Sequence, residues 1–287
     1  MVNGAAGAVN FYVLDLCRRG RHLDGIEVGV VIDTIHQSSL NMALRCGEQF
    51  RRRYIDGQVI PPGVAAGRGT GLHGANEANM KHKIVTKQDL PLPDLHDAAR
   101  DAFVKAFDGG VFLPKEDLPH KRTILNKALN DTIRLTSLYR AEVAPGIMPK
   151  AVEQEFRIDI GLPLDIAGRM DIQETARVDD LKSAGKSWQP GQIDKEIQPI
   201  MYSMAHEYLT GVQPEFVYHI LVALKEPKHQ IQTIKPNKQH YRILISKLAM
   251  MCRMIETGVF LPANPTIWWC SSKFCGYYNS CRYTTGG

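Results

Sequence analysis

The spacing of apolar and polar positions along the chain changes character twice. The first 34 or so residues hold no steady period. From Ser38, the stretch "SSLNMALRCGEQFRRRYIDG" sets Leu40, Ala43, Leu44 and Phe50 at helical spacing behind a serine cap, and Gly57 follows its end. Paired prolines make "VIPPGVAAGRG" a loop. Helical spacing then recurs over about 71–81, 94–107 and 121–140. After "APGIMPK" the period drops to two: "AVEQEFRIDI", "LPLDIAGRMDI" and "ARVDDLKS" read as three strands. "GQIDKEIQPIMYSMAHEYLTG" returns to helix and ends on Gly211, "EFVYHILVALK" and "HQIQTIK" read as a hairpin, and "KQHYRILISKLAMMCRMIETG" is a further helix. The tail from Pro262 is short, aromatic and cysteine-bearing. This order predicts an α/β fold with a helical front, a strand-rich middle holding one inserted helix, and a closing helix with its tail. No internal repeat or low-complexity segment interrupts it.

Composition changes this picture in two ways. At 44% hydrophobic and 23% charged residues, the 287-residue chain is an ordinary globular sequence, long enough for a sizeable core. Its formal charge of +5 suits a polyanionic partner without requiring one. No apolar run approaches the roughly 20 residues that a membrane-spanning helix needs, and no signal-peptide pattern opens the chain, so a soluble, cytoplasmic protein is expected. In a reducing compartment its six cysteines point to metal or cluster ligation rather than disulfides.

Half of those cysteines fall within twelve residues of the tail. Cys270, Cys275 and Cys281 are spaced C-x4-C-x5-C, close enough to converge on one centre. A tetrahedral zinc site or an iron–sulfur cluster normally takes a fourth thiolate, for which Cys46 is the best candidate. Spacing alone does not separate cluster from zinc, although it is not a usual C-x2-C zinc pattern. Cys17 and Cys252 are left over, and Cys252 lies in an apolar helical pattern that suits a buried thiol.

The charges of chemical interest sit at the ends of two expected strands. The first closes on "GRMD" with Asp171, the second on "DDLKS" with Asp179, Asp180 and Lys182. Residues two apart share a strand face, so Asp180 and Lys182 point one way while Asp179 and Leu181 point the other. If the strands pair, Asp171 and Asp180 bracket a hard cation at their common end, and a lysine beside it serves a phosphoryl reaction. A salt-bridged strand end is the plainer alternative. Glu153 or Glu155, on the preceding strand, could add a third carboxylate. Gln198 and Tyr202 lie four apart on the following helix and share a face. "GTGLHG" (69–74) matches a dinucleotide-binding spacing, but no strand precedes it. The informative residue there is His73, placed at the start of a helix beginning near Gly71 and able to act as ligand or base.

Together these motifs resemble the PD-(D/E)XK nuclease superfamily, in particular its RecB-like branch with an iron–sulfur staple, from about Ser38 to Cys281. The resemblance implies a restriction-endonuclease-like core, a mixed central sheet flanked by helices, with a helical N-terminal part and a C-terminal cysteine-cluster tail. Residues 1–37 then form a segment of unassigned role and 38–287 one nuclease domain, divided into a helical part (38–145), a catalytic core (150–235) and a helix with its iron–sulfur tail (237–287). It implies metal ligation by His73, Asp171, Asp180 and the backbone carbonyl of Leu181, catalysis by Lys182, and an acidic first-strand residue in Glu153. Gln198 and Tyr202 match its Q-x-x-x-Y motif. Cys46 with Cys270, Cys275 and Cys281 matches its split ligand set for a 4Fe–4S cluster, with zinc as the alternative occupant. The family's usual first gap in the tail is two residues, and here it is four.

The implied activity is hydrolysis of DNA phosphodiester bonds by an exonuclease using Mg2+ or Mn2+, acting on single strands or duplex ends in recombination, repair, phage replication or CRISPR adaptation. A helicase, recombinase or single-strand-binding protein would be its partner. Phosphate contacts are expected from Arg51, Arg52, Arg53, Lys186 and Lys195, unless the arginine run is a solvated helix face. The alternative is a catalytically silent iron–sulfur DNA-binding or assembly subunit of a nuclease–helicase complex.

Overall fold

Alternation in the middle of the chain produces the strands it predicts. A computed structural model describes residues 32–284, so Cys17 lies outside the described residues. Among the described residues the sheet has six strands: β1 (Thr34–Ile35), β2 (Ala151–Ile158), β3 (Asp165–Gln173), β4 (Arg177–Ala184), β5 (Glu215–Val222) and β6 (Lys228–Ile234). Their order is β1-β3-β4-β5-β6, with β2 also paired to β3. Neighbours β2–β3, β3–β4 and β5–β6 are antiparallel, whereas β1–β3 and β4–β5 are parallel. β5 is buried at every position after Glu215, as its apolar run, interrupted only by His219, requires of a central strand covered on both faces. β1 carries no alternation to read and is defined only by pairing Thr34 with Asp165 and Ile35 with Ile166.

One feature of the sheet positions everything that follows. β2 occupies one edge of β3 along almost its whole length. The other edge is shared, with β1 at Asp165 and Ile166 and β4 at Ile172 and Gln173. Residues 167–171 therefore lie open between two diverging neighbours.

Helices cover both faces. Among the described residues they are α1 (Gln37–Arg45), α2 (Gly47–Phe50), α3 (Val64–Thr86), α4 (Leu92–Lys105), α5 (Lys121–Leu138), α6 (Ile197–Thr210) and α7 (Lys238–Thr257). On one face Leu40, Phe50, Met201 and Leu248 pack against Phe216, Tyr218 and Ile220. On the other, Leu72, Met80, Leu95 and Leu135 pack against Ile172, Leu181 and Leu221. The α7 limits follow the sequence: the Asn237 side chain accepts from the amides of Gln239 and His240, and Gly258 closes the helix at φ 68°. No helix among the described residues is long and apolar enough to cross a membrane.

Two helical expectations need correction. The helix expected from Ser38 is broken at Cys46, whose backbone is extended (φ −165°, ψ 109°). The interruption seats Gly47 on the tail: its amide bonds the Leu261 carbonyl at 2.7 Å, and a Cβ there would stand 2.7 Å from the same oxygen. The supposed loop "VIPPGVAAGRG" ends at Gly63, and α3 begins seven residues earlier than expected, so His73 lies mid-helix. Glycine weakens an isolated helix, but here it permits close packing. A Cβ on Gly67 would meet the Phe107 ring at 2.2 Å, and one on Gly71 the Ala99 carbonyl at 2.8 Å. Gly71→Val should consequently destabilise the protein by about 3 kcal/mol through overpacking, read as a lower urea midpoint with unchanged slope.

Candidate functional site

The charged residues of the sequence motifs meet where β3 and β4 part. Continuing the pairing of Ile172 with Asp179 by one step sets Asp171 opposite Asp180. Both are nearly inaccessible, Asp180 at 1% and Asp171 at 8% exposure. From α3, His73 Nδ1 reaches Asp171 Oδ2 at 2.8 Å. From β2, Glu153 lies opposite Asp171, between the paired Val152–Ile172 and Gln154–Met170. Its φ of 53° is left-handed, a conformation costing a non-glycine residue about 1–3 kcal/mol and held only where surroundings enforce it. The outcome is that His73, Glu153 and Asp171 present donor atoms within 4.8 Å of one another. Glu155, which periodicity could not separate from Glu153, is exposed and pairs across the sheet with Arg169.

A second set of contacts organises the β4 side. Lys182 Nζ lies 2.7 Å from Asp180 Oδ2 and donates to Gln198 Oε1 at 2.7 Å. Gln198 Nε2 in turn donates to Asp180 Oδ1 at 2.5 Å. The Leu181 side chain packs in the core against α3, while its amide supports the Asp171 carboxylate. Tyr202 presents its ring edge-to-face to Phe156, 5.4 Å between centroids.

Two neighbours escaped the sequence reading. Tyr218 donates to Gln198 Oε1 at 3.2 Å and places its ring 4.9 Å from Lys182 Nζ. Arg169 Nε lies 2.6 Å from Glu153 Oε2. Tyr218 could have been found from strand register, since it is the β5 partner of Asp180. Arg169 shares β3's "GRMD" with Asp171, but nothing in its spacing marks it.

Asp179 points away from this centre, as strand parity requires, yet it is not a loose strand end. Fully buried, it pairs with Arg177 and bonds His219 Nε2 at 2.9 Å, and His219 Nδ1 contacts His229 Nε2 at 3.0 Å. Two of the arginines expected to meet phosphate are likewise committed elsewhere. Arg51 pairs with Glu48 and Asp56, and Arg52 pairs with Glu48 and bonds Ser280 of the tail. Lys186 and Lys195 are exposed.

Burial and mutual repulsion shape the electrostatics of the centre. Burial opposes a charge on His73, but the adjacent Asp171 carboxylate prevails and raises it to about 9. For Asp171, burial is outweighed by His73, which holds the carboxyl below its ordinary range. Burial and then the Asp171 charge lift Asp180 to about 6 and Glu153 to about 7. Glu153 Oε2, Asp171 Oδ2 and Asp180 Oδ2 are buried without a well-aligned hydrogen-bond donor. Crowded carboxylate oxygens that hold only ion-pair neighbours, beside an imidazole, fit a divalent cation, which meets hard oxygen donors in this way. A cleft of about 710 Å³ opens onto Asp171, lined among others by Thr34, His36, Arg157, Arg169 and Tyr202.

The cysteines form a separate centre. Cys46, in the break between α1 and α2, joins Cys270, Cys275 and Cys281 around a cavity of about 30 Å³. Cys46 Sγ accepts the Ala263 amide at 3.3 Å. Burial, and then the negative charge of the facing sulfurs, push the Cys270 and Cys275 thiols up. Bare thiolates would repel in such a cluster, and a bound metal removes the conflict. The sulfurs are spread out: among the described residues only His73, Glu153 and Asp171 bring three such donor atoms within 4.8 Å. A single tetrahedral zinc would draw its sulfurs to roughly 3.8 Å of one another, given Zn–S near 2.3 Å.

Cation binding at the carboxylate centre should displace protons from His73, Glu153 and Asp180. Affinity for Mn2+ is therefore expected to climb between pH 6 and 9, about tenfold per pH unit for each proton displaced. Calorimetry in buffers of differing ionisation enthalpy counts those protons, and a pH-independent affinity would contradict the assignment.

The sequence profile of the PD-(D/E)XK nuclease superfamily matches residues 34–282. No curated protein sequence matches the chain. Among solved structures, a presumed exonuclease from Eubacterium rectale is similar at a TM-score of 0.54 and 12% identity, over 93% of each chain. The protein SSO0001 aligns over 96% of this chain and 97% of its own, with 16% identity and a TM-score of 0.40.

Proposed function

The chain belongs to the PD-(D/E)XK nuclease superfamily, and from that premise we propose that it is a divalent-metal-dependent deoxyribonuclease that degrades DNA from strand ends. One observation carries the reading. His73, Glu153, Asp171, Asp180 and Lys182, from four separate elements, meet at the fork between β3 and β4, and three of their carboxylate oxygens lack an aligned donor. End-directed cleavage follows the likeness to the Eubacterium rectale protein. The cleft beside Asp171 has room for a single strand, and the chain's positive charge suits the phosphate backbone.

His73, Asp171, Asp180 and the Leu181 carbonyl would hold Mg2+ or Mn2+, with Glu153 beside them. When bound, the ion supplies a more acidic water and stabilises charge on the phosphoryl oxygens. The chain's own groups do the positioning. Lys182, fixed between Asp180 and Gln198, directs its ammonium toward the attacking water and offsets the negative charge that grows at phosphorus. Gln198 keeps Lys182 and Asp180 in register by bonding both, with Tyr218 locking the amide from behind. Tyr202 walls the cleft along which the strand would lie.

We assign the four cysteines to a 4Fe–4S cluster with a structural role. Their spread favours a cluster over zinc, and the linkage ties α1 and α2 to a tail more than two hundred residues away, where the loop-closure model gives cross-links most effect. A helicase, recombinase or single-strand-binding protein completes the proposed setting. His73, Asp171, Asp180 and Lys182, the residues that match the family's motifs, are all present, which speaks for activity over a silent subunit.

Labelled single-stranded and duplex DNA should be degraded with Mg2+ or Mn2+ and spared with a chelator. Lys182→Ala or Asp180→Ala should reduce the rate by about 10²–10³ or more. Wild-type protein inert on every strand form with either metal would refute the enzyme reading. Anaerobically purified protein should absorb near 400 nm, roughly where thiolate-bound iron–sulfur centres do. Cys281→Ser should lose that band together with thermal stability, whereas colourless, zinc-loaded wild-type protein would reassign the cysteine centre.

A further inference from the structure

A large concavity lies away from the carboxylate centre. It is a groove of about 860 Å³ between the outer face of α7 and the chain from Val259 to Trp269, closed at one end by the last residues of α1. Its lining is apolar and rich in methionine: Met250, Met251 and Met254 from α7 face Leu44, Val259 and Leu261. Several of these are left in solvent, Met250 at 67%, Leu261 at 73% and Leu44 at 48% exposure. Apolar surface gathered this way on a soluble chain marks a contact site, and methionine adapts to varied partners.

The groove's electrostatics are one-sided. Arg45 and Lys247 contribute cations to the lining and no acidic residue does, while the third basic residue there, Arg253, is paired with Glu256 at 3.3 Å. The walls are also held firm. Gly47 is clamped to the Leu261 carbonyl, and the Arg45 guanidinium lies 5.6 Å from the centre of the Trp269 ring. Along α7 the lining runs from Ser246 to Thr257, which at 1.5 Å per residue is roughly 16 Å, or three turns of a docked helix.

We propose that this groove binds an acidic, amphipathic peptide segment of a partner protein, its apolar stripe seated on the methionines and its carboxylates against Arg45 and Lys247. Charge complementarity selects this occupant. A second copy of the chain would bring a like-charged groove and a net charge of +5 against the same surface. Residues 1–31 carry Arg18, Arg19 and Arg21 against Asp15, Asp24 and Glu27 and have no acidic excess to offer. Nucleic acid would match the cations but leave the methionine floor without apolar contact. The inference does not depend on the nuclease reading, because no residue of the carboxylate centre lines the groove.

Fluorescence anisotropy with the full chain tests it. The probe is a labelled 16-residue peptide with leucine or phenylalanine at i, i+3, i+4 and i+7 and aspartate or glutamate elsewhere. Saturable binding is expected, weakened at least tenfold by Met250→Asp and several-fold by Lys247→Glu. Met250 is solvent-exposed and Lys247 half-buried at the groove wall, so thermal melting of Met250→Asp in particular should match wild type. A peptide with its apolar positions changed to serine, and one with lysine replacing the acids, should not bind. The proposal is overturned if the acidic peptide fails to bind or binds Met250→Asp equally well. It is also overturned if sedimentation shows a dimer that Met250→Asp dissociates, or if a single-stranded oligonucleotide competes the peptide from the groove. A fourth contrary result is that Met250→Asp exposes Arg18, Arg19 or Arg21 to trypsin while wild type is protected there, which would make the chain's own N-terminal segment the occupant.

Discussion

Carboxylates that repel one another in a buried place must be held by something stronger than their own preferences. Asp171, Asp180 and Glu153 gather at the fork of the sheet with one imidazole and two exposed-side cations, Lys182 and Arg169, around them. Such a cluster opposes folding in proportion to its burial. It persists because α3 packs closely enough to bring His73 down onto Asp171, because Gln198 and Tyr218 brace Lys182, and because β2 holds Glu153 in a left-handed conformation. The small residues of α3, the depth of β5 and the crossing of α6 all serve that assembly.

The fork itself is a matter of hydrogen-bond inventory. A strand interior with an open edge exposes backbone donors and acceptors that would ordinarily be paired. β3 leaves this opening between β1 and β4, and the adjoining cleft is lined by Ala167, Arg169 and Asp171 from that stretch. The unpaired edge and the carboxylate cluster therefore adjoin, which joins a place where a ligand can approach the backbone to a place where a cation is wanted.

Much of this was legible in the sequence because strand parity is strict. Asp180 and Lys182 on one face, and Asp179 on the other, follow from a period of two, the β5–β6 hairpin follows from two strand-like runs, and the limits of α7 follow from its capping residues. Less legible were features that depend on partners distant in the chain. The break at Cys46 comes from Gly47 meeting Leu261, and the early start of α3 from glycines that fit against Phe107 and Ala99. Local propensity reads those glycines as loop, and packing overrides it. The arginines at 51 and 52 looked free because their partner Glu48 is buried and Ser280 lies at the other end of the chain. Glu153 could not be told from Glu155 because a left-handed residue does not obey the alternation that its neighbours keep.

The same long-range stitching sets an order on folding. Gly47 bonds Leu261, Arg52 bonds Ser280 and the Tyr277 hydroxyl bonds the Gln58 carbonyl, so α1 and α2 are fastened by residues more than two hundred positions further along the chain. Every strand and α3 through α6 can be assembled while that fastening is still missing. Contacts of such sequence separation are slow to form and cannot form early. A truncated or stalled chain would thus keep the fork and its carboxylates but lack the clasp on α1 and α2. The closing of that clasp, rather than the folding of the sheet, completes the packing of α1 and α2.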